Sequence, residues 1–140
     1  LPELVALQIA MVEQPLPRGE DDDLDGLDSP IPLGADESLV HMDEYADIAP
    51  LYDVINIKLD KCGGLTEALD IARRAMADGK QVMVGNMTGT SLSMAPSSVV
   101  GQHCQFVDID GPILLESDID HGLDYRPGGV VSLPTSDLWG

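Results

Sequence analysis

Five short apolar runs divide this chain, and each hands over to a polar residue at its C-terminal end. The runs are Ile9–Pro15, Pro30–Ser38, Val54–Lys61, Gln81–Met87 and Gln105–Pro112. They are too apolar to leave one face in water, so they read as strands covered on both sides. Helical patterns separate them. Met42–Asp53 is helix-like, with Pro50 near its end. In Leu65–Asp78, Leu65, Leu69, Ala72 and Met76 recur at helical spacing, and Gly79 stands at a C-cap position. Thr90–Cys104 reads as a helix despite Pro96, and Arg18–Ser29 as an acidic loop or very short helix. Such alternation predicts a parallel sheet with helices outside it. Ile113–Gly140, rich in Gly, Pro and Asp, reads as an irregular extension.

Five strands fit an open doubly wound sheet or part of a barrel. The polar strand ends favour the barrel: Glu13, Asp36, Lys58, Asn86, then Asp108 and Asp110. In a (β/α)₈ barrel every strand end faces one central site. A nucleotide-binding sheet would show GxGxxG after its first strand, and a phosphate loop would follow its glycines with Lys-Ser or Lys-Thr. Neither motif occurs. The predicted class is therefore α/β, a partial (β/α)₈ barrel over residues 1–115 with an extension over residues 116–140.

Strand parity selects the candidate residues, because positions two apart share a face. Asn56, Lys58 and Asp60 share one face of Val54–Lys61, and Ile55, Ile57 and Leu59 the other. The aliphatic face should meet the outer helices, so Lys58 should point into the barrel. There a lysine is costly unless it is paired. Lys61 has the opposite parity and lies past the expected strand end. Asp108 and Asp110 also share a face, and two carboxylates at one mouth call for a cation between them. Glu13 and Asp36 are hard oxygen donors arriving at the same mouth, the ligand type that Mg²⁺ takes. Glu37, beside Asp36, and Asn56 stand as supporting residues.

Other patterns carry less. Asp21, Asp23, Asp25 and Gly26 spell the first half of a calcium loop. The twelfth position is Pro32 rather than a bidentate Glu, so a solvated acidic loop is expected. His41, His103 and His121 lack metal-ligand spacing, and Cys62 and Cys104 form no CxxC, which fits a reducing, cytoplasmic setting. The net charge of −18 repels phosphate backbones and anionic membrane surfaces, leaving a small molecule as the expected partner. A homo-oligomer is compatible with this reading. No apolar stretch is long enough to span a bilayer. The chain opens on Leu, within what reads as the tail of a helix, so it is expected to begin inside a longer protein.

The runs VEQPLP, PLGADES, INIKLDKCGG, VMVGNMTGTS and VDIDGP resemble successive strand ends of the enolase superfamily. The likeness is to its muconate-lactonizing subgroup, and within it to the dipeptide epimerases of L-Ala-D/L-Glu type. It extends from Gln8 to Leu115. The resemblance implies that the five strands are the fourth to eighth of the barrel. It implies that Glu13 and Asp36 ligate Mg²⁺, that Lys58 is an acid/base, and that Gly85–Thr88, with Asn86 and Met87, line the substrate pocket. Asp108 and Asp110 match an Asp-x-Asp that grips the substrate's α-ammonium group. The implied chemistry is removal of a proton α to a carboxylate to give a metal-stabilised enediolate.

Parts of the family pattern are missing: the capping domain, the first three strands, a Lys-x-Lys and a third metal ligand. The tail SLPTSDLWG also departs from the family's PGLG-like close. Within the subgroup the alternatives are a muconate cycloisomerase, an N-acylamino-acid racemase or an o-succinylbenzoate synthase-like member. The remaining alternative is an inactive truncated fragment, and the isolated residues are expected to be inactive.

Overall fold

The computed structural model describes all 140 residues. Its centre is a five-stranded sheet of β1 (Val12–Glu13), β2 (Leu33–Ala35), β3 (Val54–Ile57), β4 (Gln81–Val84) and β5 (Phe106–Val107). All neighbours pair in parallel, and the spatial order β1-β2-β3-β4-β5 is the sequence order. Crossovers between parallel strands are right-handed, so an order that never reverses keeps every connection on one side of the sheet. That is the winding of a barrel wall. A doubly wound sheet would reverse its order and cover both faces.

The two faces separate as that winding requires. Leu33, Ala35, Ile55, Ile57, Val82 and Val84 join the main hydrophobic cluster. The helix α4 (Leu65–Ala77) packs there through Ala68, Ile71, Ala72 and Ala75, all buried. The other face holds Gly34, Val54, Asn56 and Met83, buried but outside that cluster. A Cβ at Gly34 would sit 2.9 Å from the Met11 sulfur, so a larger residue there would displace that side chain.

The elements are shorter than the apolar runs. Val54–Lys61 leaves the sheet at Ile57 and continues as one helical turn, α3 (Leu59–Cys62). Gly63 and Gly64, at φ 99° and 103°, then reverse the chain into α4. Met42–Asp53 forms a 3₁₀ turn, the short helix α2 (Tyr45–Ile48) and a second 3₁₀ turn, Ala49–Leu51, that holds Pro50. Proline offers no N–H to a longer α-helix. The helix α5 (Ser91–Gly101) runs through Pro96. At the N-terminus α1 spans Pro2–Ala6.

The extension is less irregular than its composition suggests. β6 (Tyr125–Arg126) and β7 (Val130–Val131) form an antiparallel hairpin. Leu123 and Leu138 reach the main cluster. The Leu123 N–H donates to Ser91 Oγ at 2.8 Å, and the Tyr125 hydroxyl donates to the Ile109 carbonyl at 2.7 Å.

β1 and β5 are the edges of the sheet. Apolar side chains stand exposed beside them: Leu7 and Ile9 near β1, Val107, Ile113 and Leu114 near β5. Unpaired edges with apolar flanks associate. The 140 residues expressed alone are therefore expected to aggregate and to melt without cooperativity. Light scattering and calorimetry check this; a soluble, cooperatively melting monomer would overturn it.

Candidate active site

The strand ends meet at one edge of the sheet. Glu13 closes β1, Asp36 follows β2, Lys58 follows β3, Gly85 and Asn86 follow β4, and Asp108 follows β5. Parallel pairing in register brings these positions to the same rim.

Asp36 is the centre of the contacts. Its side chain is 6% exposed and sits between two lysines. Lys58 Nζ donates to Asp36 Oδ2 at 2.5 Å. Lys61 Nζ donates to the Asp36 carbonyl at 2.5 Å and to Oδ1. Strand parity alone would turn Lys61 away from this group. It fails because the strand has already ended: across the turn of α3, residues three apart lie on one side, so Lys61 returns over Lys58. Asn56, fully buried on the inner face, donates through Nδ2 to Glu13 Oε1. Its Oδ1 is a buried acceptor without a partner. Gly85 makes room for this pair, because a Cβ there would lie 2.7 Å from Asn56 Oδ1 and 2.9 Å from Lys58 Cε.

Gln14 is a residue the sequence reading passed over. It lies between Glu13 and Pro15 with a left-handed φ of 39°. Its Oε1 accepts the N–H groups of Asp36 at 2.9 Å and Ser38 at 3.2 Å. Its Nε2 faces the Leu16 carbonyl at 2.7 Å, Ser38 Oγ at 2.9 Å and the Tyr52 hydroxyl at 3.2 Å. One side chain thus ties the loop after β1 to the loop after β2. Only its place beside Glu13 could have flagged it. Asp21 belongs to the same network: it is buried, and the Tyr52 hydroxyl donates to its Oδ1 at 2.6 Å. That bond gives the first Asp of the calcium-like pattern a structural task. The three histidines are exposed.

Glu13, Gln14, Arg18, Asp36, Glu37 and Lys58 border an open cleft of about 690 Å³. The remaining candidates stand apart from it. Asn86 Nδ2 donates to the Asp108 carbonyl at 2.8 Å and to its Oδ1 at 3.1 Å. Asp108 and Asp110 border a second hollow of about 470 Å³, with Tyr125 and Arg126. Met87 is 54% exposed and lines neither.

The charges explain the titration of the site. Burial raises the Glu13 carboxyl above its ordinary value, and the neighbouring Asp36 adds to this, partly offset by the Asn56 hydrogen bond. Burial would raise Asp36 too, but the ammonium groups of Lys58 and Lys61 outweigh it and hold that carboxyl low. Burial would lower Lys58; the bond to Asp36 and the charges of Asp36, Glu13 and Glu37 outweigh it and raise the amine. Burial and the charge of Asp110 raise Asp108, and Lys58 is close enough to oppose that. Two crowded carboxylates therefore face two ammonium groups, which balance their charge. Hard oxygens suit Mg²⁺. Glu13 and Asp36 are a pair, not a full set: no three His, Cys, Asp or Glu side chains gather as ligands.

The family model for enolase C-terminal domain-like proteins matches residues 1–135. The chain belongs to that family. Its relatives in the superfamily include racemases and epimerases acting on amino-acid derivatives. The N-acetyl-D-glutamate racemase of a Pseudoalteromonas species is 45% identical over 137 residues, 98% of this chain and 43% of the relative. An enolase-family crystal structure from Agrobacterium tumefaciens, with homology to dipeptide epimerases, contains sodium and L-Ala-L-Glu. It superposes with a TM-score of 0.95 at 46% identity, covering 100% of this chain and 43% of that one. The dipeptide epimerase of Methylococcus capsulatus, complexed with Mg and L-Arg-D-Lys, superposes with a TM-score of 0.85 at 32% identity, covering 94% and 40%. The chain thus spans about two fifths of the length of these relatives.

Proposed function

We propose that this chain supplies half of the active site of a divalent-metal-dependent epimerase, with Lys58 as one acid/base and Glu13 and Asp36 as metal ligands. The observation that carries this is the convergence of Lys58 and Asp36 beside Glu13 on one barrel rim. Mg²⁺ is the metal of this reading, supported by the donor types and by the Mg-complexed relative. A bound divalent ion would stabilise the enediolate that forms when the α-proton leaves. Lys58 would hold or return that proton on one face of the carbon, and Asp36 orients it. A second base on the opposite face would come from outside these residues, because the other two lysines are engaged elsewhere: Lys61 binds the same Asp36 and Lys80 donates to the Tyr52 carbonyl. Epimerisation needs both faces.

The substrate of this reading is an N-acylated glutamate, with L-Ala-L-Glu as its leading form. Asp108 and Asp110 would receive the free ammonium group, with Asn86 holding Asp108. A specific observation favours a second reading, an N-acetylglutamate racemase: the acid pair borders its own hollow, and the Pseudoalteromonas relative takes a substrate without an ammonium group.

Proton NMR in D₂O with the full-length, Mg²⁺-loaded protein separates the two. α-Proton exchange on L-Ala-L-Glu supports the first reading; exchange confined to N-acetylglutamate moves the assignment to the second, and exchange on neither overturns both. Under the first, Asp110→Asn should lower kcat/KM for L-Ala-L-Glu about tenfold more than for N-acetyl-L-glutamate. Equal losses would remove the ammonium role from Asp110.

A further inference from the structure

Every charged group on the cleft wall but two is acidic: Glu13, Asp36 and Glu37 face Lys58 and Arg18. Lys58 is committed to Asp36. Arg18 is not committed to the metal-site carboxylates at all. Its only side-chain partner is Glu44, which accepts one hydrogen bond from the Arg18 NH2 nitrogen. Glu44 is itself fixed, because its Oε2 accepts the N–H groups of Val40 at 2.7 Å and His41 at 3.1 Å. The guanidinium is thereby held at the rim by one nitrogen, while its remaining N–H groups stay free on a side chain that is 52% exposed. Guanidinium offers five donors in a planar fork that matches a carboxylate two bonds at a time. Leu16 and Pro17 lie between Arg18 and Gln14 on the same wall, giving methylene groups an apolar surface.

We infer that Arg18 is a specificity residue whose free guanidinium edge receives a second carboxylate, carried on the side chain of the substrate. The inference rests on the reading above, in which a metal held by Glu13 and Asp36 would stabilise the enediolate. It adds what that reading lacks. A ligand with two negative charges entering a cleft lined by Glu13, Asp36 and Glu37, in a chain of net charge −18, is repelled unless a cation meets the distal charge. Arg18 is the one cation positioned to do so. The bland alternative is a surface ion pair that ties the loop after β1 to the turn at Glu44, a contact of little energetic weight.

The test uses the full-length protein with Mg²⁺ and two ligand pairs that differ only in side-chain charge. The first pair is L-Ala-L-Glu and L-Ala-L-Gln, read by kcat and KM. The second is N-acetyl-L-glutamate and N-acetyl-L-glutamine, read by calorimetric binding. Wild type should favour the acidic member of each pair. Arg18→Gln should raise KM and Kd for the acidic members about tenfold or more and leave the neutral members within about twofold; Arg18→Lys should fall between. Equal losses on acidic and neutral ligands, or no loss on either, overturn the inference, as does a wild type that does not discriminate charge. Charge-selective binding that depends on Arg18, without turnover, would keep the inference and defeat the epimerase reading instead.

Discussion

Replacing Lys58 by alanine in the full-length protein is expected to abolish interconversion of the two epimers while leaving one of them able to exchange its α-proton. Each face of the carbon needs its own acid/base, and a positioned group of this kind contributes about 10²–10⁴-fold to the rate. With Lys58 gone, the epimer whose proton points to the opposite face still meets a base, but the proton returns where it left. Deuterium then enters one epimer without inversion, and the other is inert. Metal affinity should survive. Lys58 occupies only Asp36 Oδ2; Lys61 still holds the carbonyl and Oδ1, and Gln14 still holds the backbone N–H. Removing an ammonium group from a carboxylate that must bind a cation can even tighten that binding. NMR exchange on each epimer separately, with a Mg²⁺ titration by calorimetry, reads both effects. Residual inversion near the wild-type rate, or equal loss of exchange on both epimers, would remove Lys58 from the proton path.

What the sequence made legible was the alternation, and hence the parallel sheet and the face of each strand. Asn56 and Ile57 do lie on opposite faces, one toward Glu13 and one in the helix-covered core. Parity stops being informative where the strand stops, and apolar character does not mark that point. β3 ends at Ile57, where its pairing with Val84 ends, although the apolar run continues through Leu59. The helical turn that follows is what returns Lys61 to Asp36. Asp108 and Asp110 raise the same difficulty. They lie beyond β5, so a shared face on paper did not fix which hollow they border. Gln14 was illegible for another reason: the partners that tie it to other loops are 22, 24 and 38 residues away, and no local pattern encodes them.

That long-range role makes Gln14→Ala the substitution with the largest expected effect on stability. The change leaves the N–H groups of Asp36 and Ser38 without an acceptor, and both residues are buried, as is Tyr52, which loses a donor. An unsatisfied buried group costs about 1–3 kcal/mol, so two orphaned amides and a weakened Tyr52 contact predict a loss of about 2–4 kcal/mol. Alanine keeps the left-handed backbone strain, since φ is 39° at this position. Gln14→Gly removes that strain and the same hydrogen bonds, so it should recover about 1 kcal/mol and no more. Divalent-metal affinity should fall in both variants, because the loops that carry Glu13 and Asp36 lose their common tie. Urea unfolding of the full-length protein and Mg²⁺ calorimetry measure the two effects. If glycine restored stability and metal affinity fully, strain at Gln14 would be the whole story, and the side chain would have no part in holding the two carboxylates together.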